Sequence, residues 1–94
     1  MTRYRIADDV AWVSHEALDA GGVPSAYVAL LPEGPPTTLD GPACVVWLAL
    51  AETGTHEEIT TAAALMWGAE PAQISGDVRA LVEQLVGLGL ATTT

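Results

Sequence analysis

The chain changes character at Asp40-Gly41-Pro42. Up to this point it carries Pro24, Pro32, Pro35, Pro36 and Pro42 with short β-branched or aromatic runs; beyond it only Pro71 remains, and the apolar residues recur with a period near 3.6. A segment patterned for one period cannot bury its apolar set in the other, so the order is confined to a small sheet followed by helices. Val10-Ala11-Trp12-Val13 and Ala26-Tyr27-Val28-Ala29-Leu30-Leu31 read as two strands, with the turn between them signalled by Asp19-Ala20-Gly21-Gly22 and Pro24. After the turn signal Pro32-Glu33-Gly34-Pro35 comes a third extended piece, Pro36-Thr37-Thr38-Leu39, whose prolines restrict it to a sheet edge.

Three helices follow. The first runs from Pro42, its N1 residue, through Val45, Val46, Trp47, Leu48 and Leu50 to Gly54, spanning about 42–53, and is apolar nearly all round. Thr55 followed three residues later by Glu58 is a capping-box pattern that opens the second helix, 55–67. Its expected apolar stripe is Ile59, Ala62, Ala63, Leu65 and Met66, with Gly68 as a left-handed cap. The third helix, 71–88, repeats Ile74, Val78, Leu81, Leu85 and Leu88 at spacings of four, three, four and three, one continuous core face. Val82 and Val86 on its flank are expected to pack under helix two. Leu90 is placed returning along the sheet, with Thr92-Thr93-Thr94 fraying. The predicted fold is α+β and winged helix-turn-helix-like: one domain over 1–94, a three-stranded antiparallel sheet within 3–39, then three helices.

Charge narrows the function. Twelve acidic residues face three basic ones, Arg3, Arg5 and Arg79, for a net charge of −9. Nucleic-acid binding draws most of its affinity from cations on phosphates, so it is disfavoured, as is an anionic membrane surface. A cationic peptide is the better match. One cysteine, Cys44, within an apolar helix reads as a small buried hydrophobe, and the apolar run near 43–51 is too short to span a bilayer. The N-terminus shows no targeting pattern, and the expected location is the cytoplasm.

No catalytic constellation is present. His15 and His56 stand far apart without Cys or His at ligand spacing, so no metal site and no cofactor are expected. Glu57 and Glu58 fall in the first turn of a helix, where carboxylates complement the macrodipole. A carrier domain would need a prosthetic-group serine opening a helix, and Ser14, Ser25 and Ser75 do not fit. Binding remains: the third strand's edge, Pro36, Thr37, Thr38 and Leu39, can accept an added strand, and helix three offers a flank of Gln73, Asp77, Ala80 and Gln84 beside its core face.

These residues carry a resemblance. Asp77-Val78-Arg79-Ala80-Leu81-Val82-Glu83-Gln84-Leu85-Val86-Gly87-Leu88-Gly89-Leu90 is similar to the last helix and closing Gly-Leu of the PqqD-like recognition elements, which bind precursor peptides of ribosomally made, modified peptides. Leu39-Asp40 resembles the family's Leu-Asn step, with Asp for Asn and without the preceding aromatic. Trp47-Leu48 resembles its aromatic-aliphatic pair, and Thr55-His56-Glu57-Glu58-Ile59 its second-helix start. The resemblance implies a leader peptide added as a fourth strand, its backbone pairing with Thr37, Thr38 and Leu39. Its side chains would meet Gln73, Asp77, Val78, Ala80, Leu81 and Gln84, with Asp77 facing a leader Lys or Arg. A chain this short resembles the stand-alone proteins of lasso-peptide systems, which pass the leader to a leader peptidase and a cyclase or other modifying enzyme without chemistry of their own. The alternatives are a PqqD-type chaperone for a radical enzyme's peptide and a structural interaction module. An edge strand can also pair with its twin, giving a weak homodimer.

Overall fold

The computed structural model describes residues 2–15 and 25–93. In chain order these form β1 (Tyr4–Ile6), β2 (Val10–His15), β3 (Ser25–Leu30), β4 (Thr37–Asp40), α1 (Pro42–Glu52), α2 (His56–Trp67), α3 (Pro71–Gly87) and β5 (Ala91–Thr93). The main sheet is the expected antiparallel meander, β2-β3-β4, followed by three helices. The strand predicted at Pro36–Leu39 is β4, shifted by one residue. The turn predicted at Asp19-Ala20-Gly21-Gly22 and Pro24 lies outside the described residues.

Register decides what the sheet buries. Val10 pairs with Leu30, Trp12 with Val28, and Ala26 with Leu39, which places these residues on one face. Ala26, Val28 and Leu39 are buried in the same core as α1. Val13, Tyr27 and Thr38 share the opposite, exposed face. Between β3 and β4 the chain turns so tightly that the Gly34 N–H donates to the Leu30 carbonyl at 2.6 Å. A Cβ at Gly34 would collide with that carbonyl oxygen, so glycine is the residue that fits.

Helix α1 lies at the centre, touching β1, β4, α2 and α3. It buries Cys44, Val45, Val46, Trp47, Ala49 and Leu50, which is why its sequence is apolar nearly all round. Trp47 is fully buried and meets Trp12 edge-on, with ring centroids 5.7 Å apart, tying α1 to β2. Removing side chains such as Val46, Leu50 and Ile59 from water stabilises the fold by roughly 1.5–3 kcal/mol each.

The helix boundaries fall within one residue of those predicted. Thr55 is the N-cap of α2: its hydroxyl accepts from the Glu58 N–H at 3.1 Å, and the Glu58 carboxylate accepts from the Thr55 N–H at 2.9 Å. The Thr55 N–H first, then the Thr55 side chain and the Gly54 N–H, hold the Glu58 carboxyl below its ordinary value of 4.5, with the Arg3 guanidinium adding the smallest share.

Three expectations are corrected. The C-terminal threonines do not fray at Thr92 and Thr93: β5 pairs antiparallel with β1, Arg5 opposite Thr92 and Tyr4 opposite Thr93. The Tyr4 N–H also donates to the Gly54 carbonyl at 2.6 Å, so the N-terminal strand is clasped on both sides. Leu65 leaves the predicted stripe of α2 and is exposed, and Met66, in the last turn of the helix on the Ile59 side, is exposed as well. At 100° per residue Leu65 lies about 240° around from Ile59, while the buried set Ile59, Thr60, Ala63 and Ala64 occupies the other side. Leu88 is exposed as well, because α3 ends at Gly87 and Leu88 is its C-cap. Val82 joins the core, and Val86 packs half-buried against it.

Candidate functional site

Strand β4 is an edge: among the described residues it pairs only with β3. Leu39 anchors it by burying its side chain, while Thr37, Thr38 and Asp40 are exposed. In an antiparallel pair the N–H and C=O of alternate residues point away from the neighbouring strand, so β4 presents free backbone donors and acceptors. The two prolines before it shorten the edge, since Pro36 has no N–H to offer.

The chain then passes through Gly41 into Pro42, and Pro42 forms one wall of a depression of about 360 Å³. Trp67, Asp77, Ala80 and Leu81 complete it. Trp67 arrives from the last turn of α2, where Gly68 adopts φ 69° and its N–H bonds the Ala64 carbonyl, turning the chain away after the indole. Ala80 and Leu81 come from α3, one turn beyond Asp77. The lining is apolar apart from one carboxylate.

The residues singled out from the sequence separate on this frame. Asp77, Ala80 and Leu81 are brought together in the depression. Gln73 and Gln84 are exposed on α3 one turn before and after them, outside the lining; the Gln73 side chain also accepts from the Glu70 N–H at 3.4 Å, capping the helix. Val78 is fully buried, so direct peptide contact through its side chain is corrected: it belongs to the core beneath α3. Pro36 lines a different hollow on the outer face of the sheet, with Val13 and Tyr27. Pro42 and Trp67 are the lining residues that reasoning from sequence missed. An indole in the last turn of a helix, beside a glycine cap, was the available signal.

Electrostatics favour a cation here. The ion pairs among the described residues are Arg3 with Glu58 at 3.6 Å and Arg5 with Asp8 at 2.8 Å. Asp77 and Asp40 therefore have no cation in ion-pair range among those residues, and they stand near the two approaches to Pro42. Elsewhere, His56 Nε2 lies 3.2 Å from Ser75 Oγ, linking the start of α2 to α3. Burial first, then the positive charge of Arg79, lowers the His56 pKa from its ordinary 6.5. Those residues hold no cluster of three or more His, Cys, Asp or Glu side chains suited to a metal, and no described helix is long and apolar enough to cross a membrane.

Comparison with known proteins bears on this arrangement. The family described as coenzyme PQQ synthesis protein D (PqqD) matches residues 27–91, well over half of the chain. Among solved structures, the one described as TbiB1 in complex with the TbiA(beta) leader peptide is similar with a TM-score of 0.68 and 24% identity, covering 93% of each chain. That likeness establishes the fold. No curated protein matches the sequence.

Proposed function

This chain belongs to the PqqD family, and from that premise we propose that it is a non-catalytic, cytoplasmic adaptor that binds the leader of a precursor peptide. The observation that carries the reading is the β4 edge, free among the described residues, running directly into an apolar depression whose carboxylate, Asp77, has no ion-pair partner among those residues. A protein of the same fold has been seen with a leader peptide.

The peptide adds as a strand to β4, pairing with the backbone of Thr37, Thr38 and Leu39, which fixes its register. One apolar side chain enters between Pro42 and Trp67 and rests on Ala80 and Leu81. A neighbouring Lys or Arg meets Asp77, and Gln73 and Gln84 flank the path. The adaptor performs no bond-making step. It raises the effective concentration of a flexible precursor beside the enzymes that act on it, a leader peptidase and a cyclase or other modifying enzyme of the kind the lasso-peptide resemblance implies.

The test is fluorescence polarisation of a labelled leader from the precursor encoded beside this gene. Submicromolar binding is expected, weakened about tenfold or more in Ala80→Arg, which fills the depression, and made less salt-sensitive in Asp77→Lys. A folded protein that binds no such leader, or binds equally well in both variants, overturns the reading.

A further inference from the structure

The outward face of α2 is a second surface that shares no residue with the β4 edge or its depression. Leu65 is 80% exposed, more than any other exposed large hydrophobic among the described residues. It borders a hollow of about 500 Å³ whose lining also includes Arg3, Glu57, Glu58, Thr61 and Ala62. At 3.6 residues per turn, Glu57, Thr61 and Leu65 follow one ridge inclined about 40° per step around the helix and rising about 12 Å along its axis from end to end. The ridge has an acidic end and an apolar end.

The two glutamates at the acidic end are not equivalent. Glu58 is occupied: its Oε1 accepts from the N–H of Thr55 at 2.9 Å and of Gly54 at 3.2 Å, and stands 3.6 Å from Arg3. Glu57 has no cation in ion-pair range among the described residues and is exposed. Arg3 and Arg79 line the hollows on either side of Glu57 without pairing with it, so among the described residues its carboxylate is left open to an incoming cation. Charge also selects the class of occupant: a second copy would bring another net −9 against this face, and an anionic lipid or nucleic acid would be repelled likewise.

We propose that this face docks a segment of a second protein in which a Lys or Arg lies about 12 Å, or two helical turns, from an exposed apolar side chain. The cation meets Glu57 and the apolar group covers Leu65. This surface stands on its own observations, and it can be filled while β4 is also occupied.

The test is an NMR titration of the isotopically labelled full chain with a synthetic amphipathic helical peptide bearing Lys and Leu eight positions apart. Amide shifts are expected to concentrate on α2, with binding about tenfold weaker for Leu65→Ser and about threefold weaker for Glu57→Gln. A control peptide with Glu in place of Lys should bind more weakly still. Both substituted positions are exposed, so the fold is retained, and the Ala80→Arg variant should bind this peptide like the parent chain. Shifts spread evenly over the other acidic residues, unchanged affinity in Leu65→Ser, or self-association of the free chain that Leu65→Ser abolishes would each overturn the proposal, the last by making a second copy the occupant.

Discussion

Methylating the backbone nitrogens of the leader one at a time perturbs the ligand and leaves β4 intact, so it separates strand addition from side-chain docking. Strand β4 has four residues, Thr37–Asp40, and alternate residues turn their N–H and C=O away from β3. Two of the four thus face an added strand, offering up to four backbone hydrogen bonds. A methyl on a peptide nitrogen that donates to β4 removes one bond and leaves a carbonyl desolvated without a partner, a loss of roughly 1–3 kcal/mol, or about five- to 150-fold in Kd. A methyl on the intervening nitrogens projects away from β4 and changes Kd by about twofold or less. Fluorescence polarisation across the methyl series should give two sensitive positions separated by one insensitive position. Uniform sensitivity along the peptide, or none at all, would refute pairing along this edge even if the leader binds.

Two further outcomes follow from the folded chain itself. His56 takes up its proton at a lower pH when folded than when unfolded, so between those values the unfolded state binds more protons and stability declines as pH falls below about 6.5. Urea midpoints measured downward from about pH 8 should show this loss in the parent chain and a shallower one in His56→Gln; parallel curves would contradict it. Gly68→Ala places a Cβ at φ 69° with nothing nearby to strike, so its cost is purely conformational, about 1 kcal/mol. That should lower Tm by about 4–8 °C in a calorimetric scan, and an unchanged Tm would be contrary to the left-handed cap.

Much of this architecture was legible locally. The switch of period at Asp40-Gly41-Pro42 separates sheet from helices, the Thr55-to-Glu58 spacing marks the start of α2, and the prolines before Thr37 identify an edge. Each rests on interactions within about four residues, which a sequence displays directly. The candidate site was legible in part, since Asp77, Ala80 and Leu81 share one stretch of α3, whereas Pro42 and Trp67 join them only because α1 and α2 pack against α3.

Other features had no local signal. Tyr4–Ile6 and Ala91–Thr93 contain strand-favouring Tyr, Ile and Thr but are only three residues each, too short to show a period, and they become strands by pairing across the length of the chain. Val78 and Asp77 are neighbours in sequence, yet one is sealed in the core and the other lines the depression, as the rotation of α3 requires. Leu65 reads as part of the apolar stripe of the second helix and is turned outward by the direction in which Ile59 and Ala63 point. The sequence by itself thus determined the three strands of the main sheet, the three helices, their order and the exposed edge, because those depend on chain-local sterics, capping and periodicity. Tertiary packing alone decided which apolar side chains meet, which remain in water and which distant residues converge, because burial is a property of the assembled surfaces.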